Sequence, residues 1–155
     1  MSLILATLCY LRKDNKTLFI HKNSNRSSIH YDKWNGLGGK LISGETPEQC
    51  AIREVKEESG LLIHKLNYKG LLTFPLFDGT NDWYVFVYTT TSFSGEIRNS
   101  AEGELCWVEN DKIPELNLWE GDKIFLPWID KNQLFSARFT YIDLKYTDHE
   151  VSFYG

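Results

Sequence analysis

The sequence predicts a mixed α+β domain, and three observations carry that reading. Segments rich in β-branched and aromatic residues recur between clusters of turn-forming residues. One stretch in the first half of the chain has a helix start signal and a helix stop signal around a helical pattern. Strand-like and helix-like segments do not alternate regularly, which argues against an all-parallel βαβ build.

Residues 3–11 and 17–21 are apolar runs joined by Lys13-Asp14-Asn15-Lys16, the pattern of a β-hairpin. Residues 23–33 are polar and irregular and read as a long loop. Residues 34–42 are a glycine-punctuated strand and turn, with Gly36, Gly38, Gly39 and then Gly44. Thr46 before Pro47 places a cap and a first-turn proline at the start of a helix that runs to about residue 59, where Gly60 closes it. Residues 65–77 and 83–93 are strands around the turn Asp78-Gly79-Thr80-Asn81, and residues 104–109 are another strand. Within 118–131 the apolar residues Ile124, Phe125, Trp128 and Ile129 have helical spacing, with Pro127 either kinking the helix or marking its true first turn. Residues 135–142 and 150–154 read as a closing hairpin. With no repeat, low-complexity tract or linker, residues 1–155 are expected to form one domain.

A chain of 155 residues with 42% apolar and 25% charged side chains is long enough to bury a core, and its composition excludes disordered and collagen-like classes. The apolar run at 3–11 is far short of the ~20 residues that cross a bilayer, and neither a basic segment nor a cleavage site accompanies it. A cytoplasmic protein without membrane attachment is expected. Cys9, Cys50 and Cys106 are odd in number and never spaced as C-x-x-C, so neither a disulfide framework nor a zinc knuckle is indicated, and buried thiols are expected. The net charge of −4, without a basic block, weighs against a partner with a nucleic-acid backbone. A phosphate ligand would then need local neutralisation, for which a metal is the obvious candidate.

On the 47–59 helix, Glu54, Glu57 and Glu58 fall within an arc of about 100°. Ile52, Val55 and Ser59 fall on another side, free to pack on a sheet. Like charges so spaced cost a helix some tenths of a kcal/mol per pair, and a structural helix gains nothing from them. An acidic face can simply be solvated, but it also suits a hard cation. Mg²⁺ fits best, because it binds a few carboxylates, keeps several waters and takes its remaining ligands from phosphates.

Gly39, Glu45, Arg53-Glu54-Val55, Glu57-Glu58 and Gly60-Leu61 fill every fixed position of G-x5-E-x7-R-E-U-x-E-E-x-G-U, where U is a bulky aliphatic residue. A chance match has a probability on the order of 10⁻⁷ from average residue usage. The segment resembles the Nudix hydrolase box. That resemblance implies the Nudix fold, a mixed β-sheet sandwiched between helices, and hydrolysis of a nucleoside diphosphate linked to another group, with Mg²⁺ or Mn²⁺ in its place. It further implies that Glu54, Glu57 and Glu58 bind metal or activate water, that the Gly39 carbonyl is a further ligand, and that Arg53 orients the glutamates.

Outside the box, Trp34-Asn35-Gly36-Leu37-Gly38-Gly39-Lys40, Cys106-Trp107 and Leu118-Trp119-Glu120-Gly121-Asp122 running into Phe125-Leu126-Pro127 resemble the MutT group. Within it they are more similar to the animal-type enzymes that hydrolyse oxidised purine nucleoside triphosphates such as 8-oxo-dGTP. By that likeness Asn35, Trp119 and Asp122 hold the purine and Glu102 is an additional carboxylate for the metals. The animal-type enzymes have two adjacent aspartates at the pocket, whereas Gly121 stands here in place of the first, which bears on base preference. Lys22 and Lys40 are candidates for clamping phosphates, and the four histidines show no ligand spacing.

The expected function is therefore a diphosphatase that converts a nucleoside triphosphate to the monophosphate and pyrophosphate, with a small nucleotide as its substrate. Pterin triphosphates and sugar nucleotides are the rival substrates. A Nudix-like binding module would be expected to show broken box glutamates, and an isopentenyl diphosphate isomerase would need a Cys and a His/Glu metal site not found in the sequence.

Overall fold

The computed structural model describes residues 2–98 and 101–155. Its strands are β1 (Ser2–Lys13), β2 (Lys16–His21), β3 (Trp34–Asn35), β4 (Leu62–Phe74), β5 (Asn81–Ser94), β6 (Glu104–Glu109), β7 (Leu134–Ile142) and β8 (Lys145–Tyr154), and its helices are α1 (Pro47–Ser59) and α2 (Glu120–Phe125). The strands form one mixed sheet in the order β3-β2-β1-β5-β4-β7-β8, with β6 paired to β2. The pairs β1–β5 and β4–β7 are parallel.

The first hairpin closes where the sequence places it. Arg12 faces Thr17, Lys13 faces Lys16, and the two residues between them, Asp14 and Asn15, both have positive φ, as a two-residue turn of this hand requires. Before Arg12, however, β1 leaves β2 and runs parallel to β5, from Ser2 opposite Asn81 to Leu11 opposite Thr90. Apolar residues at consecutive positions of β1 follow from coverage on both sides. Ala6 and Tyr10 belong to one core cluster with Phe19, Leu72, Val85, Val87, Phe125 and Phe139. Cys9 and Leu11 belong to the other with Leu18, Ala51, Val55, Ile63 and Tyr88. Alternate residues of each central strand thus point to opposite cores, one closed by α1 and the other by α2, which is the sandwich the sequence predicts.

Helix α1 carries a reciprocal cap: Thr46 Oγ1 accepts the Gln49 N–H at 3.1 Å, and Gln49 Oε1 accepts the Thr46 N–H at 2.9 Å. Gly60, at φ 82°, ends it by donating its N–H to the Lys56 carbonyl. The expected 118–131 helix is two pieces. α2 stops at Phe125 and a 3₁₀ segment, Leu126–Asp130, continues with Pro127 in its first turn, since proline has no N–H to extend the α-helical ladder. The last strand starts at Lys145, five residues ahead of the expected position. Its added stretch is polar because it belongs to an edge strand, paired only with β7 across a turn at Asp143 and Leu144. Cys9 and Cys50 are buried as expected, but Cys106 is exposed, because β6 pairs with β2 alone and turns alternate residues outward. Among the described residues no helix is long and apolar enough to cross a membrane.

The glycine-rich segment after β3 makes isolated bridges, Cys9 with Leu37 and Ala6 with Lys40, and Thr7 N–H donates to the Gly39 carbonyl at 2.9 Å. It lies so close to β1 that a Cβ on Gly38 would sit 1.9 Å from the Thr7 carbonyl oxygen. Gly38→Ala is therefore expected to cost at least about 2 kcal/mol by overpacking against backbone. A thermal melt should show Tm lower by roughly 4–8 °C; an unchanged Tm would contradict the close approach.

Candidate active site

Helix α1 presents its carboxylates toward the Gly38-Gly39 segment, and Arg53 organises them. Its guanidinium donates to Glu45 Oε2 at 2.7 Å, Glu45 Oε1 at 2.9 Å, Glu54 Oε1 at 2.7 Å, the Glu57 carboxylate at 3.3 Å and the Lys40 carbonyl at 3.1 Å. Arg53 thus offsets the like-charge repulsion expected from the spacing. The hydrogen bonds from Arg53, helped by the Ile42 N–H, hold Glu45 down to about 2. Glu54 lies against Gly39, where a Cβ would come within 2.4 Å of the Glu54 carboxyl carbon, so glycine leaves that carboxylate its place.

The three face glutamates differ in exposure. Glu57 is open to solvent, Glu54 is partly covered, and Glu58 is 4% exposed. Glu58 Oε1 accepts the Gly38 N–H at 2.8 Å, whereas its buried Oε2 has no hydrogen-bond donor among the described residues. Burial pushes Glu58 up to about 8, against the pull of Lys22, and the neighbouring Glu102 carboxylate raises it further. Burial also tends to raise Glu102, but the Lys22 ammonium, 3.0 Å from its Oε2, outweighs this and holds Glu102 below its ordinary value. Glu102, and not Glu104, which starts β6, is the loop carboxylate turned toward α1.

A pocket begins beside this acidic face. It runs from Gly38, Gly39, Thr7 and Lys22 to Asn35, Gly36, Trp119 and Asp122, and its walls are Leu8, Ile29, His30, Phe74, Phe77, Trp83, Val85 and Tyr141. Trp119 caps the start of α2 and is largely buried, and the Lys33 ammonium lies 4.8 Å from its ring centre. Asn35 Nδ2 is buried with no hydrogen-bond partner among the described residues. Asp122 is 7% exposed, and burial lifts it to about 7 despite Lys33. The sequence-predicted base residues Asn35, Trp119 and Asp122 therefore meet in one place. Lys22 reaches the pocket but is paired to Glu102, and Lys40 is exposed, its Nζ 5.4 Å from the Trp83 ring centre. Trp34 stacks on His21 and Trp107 on Phe93, both away from the pocket lining.

A folded-state value above the unfolded one makes Asp122 favour folding only while it is protonated. Its contribution is full below about pH 4 and is lost as pH rises toward 7. Asp122→Asn is expected to raise Tm more at pH 8 than at pH 5, and equal changes at both would place the carboxyl in a wetter site.

The NUDIX domain profile matches residues 3–129. The chain belongs to the Nudix hydrolase family. A Danio rerio protein named oxidized purine nucleoside triphosphate hydrolase is 35% identical to this Nudix chain over 119 residues, 77% of this chain and 73% of that protein. An uncharacterised Nudix hydrolase of Bacillus subtilis, YvcI, is 34% identical over 140 residues, 87% of this chain and 85% of its own length. Among solved structures, a MutT protein from Bacillus halodurans superposes with a TM-score of 0.85 at 27% identity, covering 96% of this chain and 97% of that one. The Nudix family generally uses divalent metal ions and acts on small nucleotide substrates.

Among the described residues no three His, Cys, Asp or Glu side chains converge as a metal cluster; Arg53 pairs with Glu54 and Glu57, and Lys22 with Glu102. The donor chemistry nevertheless fits a hard cation: every candidate side chain offers oxygen, and the buried Glu58 Oε2 accepts no hydrogen bond among the described residues. The Gly39 carbonyl accepts the Thr7 N–H at 2.9 Å and a weaker bond from the Cys50 thiol at 3.5 Å.

Sequence reasoning missed His30. Its Nδ1 accepts the Trp119 indole N–H at 3.1 Å, and its ring stacks on Phe77. Burial, with Lys22 nearby, lowers its proton affinity, which keeps the neutral acceptor form. No spacing signal marks it, because its partner is 89 positions away. The aromatic wall residues Phe77, Trp83 and Tyr141 were equally hidden among other strand aromatics.

Proposed function

We propose that this Nudix hydrolase converts purine nucleoside triphosphates to monophosphates and pyrophosphate with Mg²⁺, and that oxidised purines such as 8-oxo-dGTP are its main substrates. The observation that carries the reading is an aromatic pocket that holds a buried carboxyl at Asp122 and reaches Gly38 and Gly39, the segment against which Glu58 and Glu54 of α1 lie. The names of the zebrafish and mouse relatives point the same way. We place the enzyme in the cytoplasm, acting on free nucleotides and not on nucleic-acid polymers, in keeping with its acidic charge.

In this reading the purine stacks on Trp119, Asn35 donates to it from one side, and Asp122 meets its hydrogen-bonding edge. Lys22 and Lys40 lie toward the phosphates. Glu54, Glu57, Glu58 and Glu102, with the Gly39 carbonyl, hold Mg²⁺, which when bound supplies Lewis-acid polarisation of phosphoryl oxygens. Glu54 or Glu57 takes the proton of the attacking water, and Arg53 keeps both carboxylates in reach.

A panel of nucleotides assayed for pyrophosphate release tests the reading, with 8-oxo-dGTP expected above dGTP and both above pyrimidine triphosphates. Asp122→Ala should lower kcat/KM for the purine at least about tenfold, the loss of one hydrogen bond to a charged group. Equal turnover of pyrimidine and oxidised purine triphosphates, insensitive to Asp122→Ala, would move the substrate elsewhere in the Nudix range.

A further inference from the structure

Gly121 begins the turn that carries Asp122, and the space in front of it is taken. A Cβ there would lie 2.7 Å from the Tyr141 hydroxyl and 2.9 Å from Phe139 Cδ1. The same hydroxyl accepts the Gly121 N–H at 2.7 Å, in a buried bond that satisfies one of the free amides at the start of α2. Tyr141 comes from β7 and lines the pocket, and its ring packs edge-on against Phe77 and Trp119. The position where a longer residue at 121 would project a side chain is thus occupied by a phenol from strand β7.

We propose that Tyr141 is a second base-reading group of the pocket, a hydroxyl donor that favours purines with a carbonyl over purines with an amino group on the edge turned toward α2. The inference rests on the purine reading above. A phenol has one proton and two lone pairs, and the Gly121 N–H uses a lone pair, so the proton remains to be given. Turning the ring away would strand a buried amide, which fixes the hydroxyl in place. Burial raises the Tyr141 pKa, so the group stays a donor at neutral pH. Asp122 beside it can donate or accept according to its protonation, and Asn35 lines the same pocket. Tyr141 is therefore the fixed element. A carbonyl opposite it accepts the proton, whereas an amino group presents donor to donor and leaves buried polar groups mismatched.

The test compares kcat/KM for the 2′-deoxyribonucleoside triphosphates of 6-oxopurine, 6-aminopurine and unsubstituted purine bases, each with Mg²⁺. The wild-type enzyme is expected to prefer the 6-oxo base at least about tenfold over both others, on the scale of one buried hydrogen bond. Tyr141→Phe keeps the ring, and should lower the ratio of the 6-oxo to the 6-amino kcat/KM about tenfold, whatever the loss common to both substrates from the unpaired Gly121 amide. Should that variant fail to melt cooperatively, Gly121→Ala, which displaces the hydroxyl and keeps the phenol, carries the same comparison. Wild-type enzyme without base preference, or a variant that keeps it, overturns the role of Tyr141 and leaves the purine reading standing. No turnover of any purine triphosphate overturns the purine reading itself.

Discussion

Glu57→Gln is expected to lower kcat by about 10²–10⁴-fold, the usual loss when a general base is removed, with the fold intact. Glu57 is open to solvent and its contact with Arg53, at 3.3 Å, is an exposed ion pair of the kind worth about 0–1 kcal/mol. Tm should therefore move little. Glu54→Gln is expected to lose as much activity but somewhat more stability, because Glu54 is partly covered and its bond to Arg53 is 2.7 Å. Steady-state kinetics with a circular-dichroism melt separate the two effects. A variant keeping more than about half of the wild-type kcat would leave the catalytic set, since the expected loss is at least about 10²-fold.

Stripping divalent cations should abolish turnover altogether. Glu54, Glu57, Glu58 and Glu102 gather acidic charge where a polyphosphate must approach, and the nearby cations Arg53 and Lys22 are already engaged by carboxylates. Without added positive charge the anionic substrate is repelled. Dialysis against EDTA followed by titration with Mg²⁺, then Mn²⁺, should restore pyrophosphate release with saturation. Full activity in metal-free buffer would refute the assignment of the acidic face.

Much of this site is legible because it is local. Gly39 to Leu61 is a single stretch in which cap, helix and carboxylate face follow from residue spacing, and the structure holds Arg53, Glu54 and Glu57 together within one helix. Glu58 looked equivalent to its neighbours on the helical arc. Only the packing of Gly38 and Glu102 around it makes it the buried member with an elevated proton affinity. Spacing fixes angle around the helix, but it does not say which side of that arc meets a neighbouring loop.

The same division runs through the fold and the pocket. Hairpin turns, helix caps and the alternation of strand residues depend on neighbours a few positions apart, so the α+β class, α1 and the first hairpin were readable. The parallel pairing of β1 with β5, and of β4 with β7, was not, because strand partners far apart in the chain leave no short-range pattern. The pocket assembles from those pairings. Trp119 is held by His30 from a distant loop, and Gly121 is filled by Tyr141 from β7. Sequence alone marked the acidic helix, because its cap, its span and its carboxylate face follow from local spacing within one stretch. Tertiary structure decided which aromatic and polar groups line the pocket, because each was brought there by a contact between segments remote in the chain.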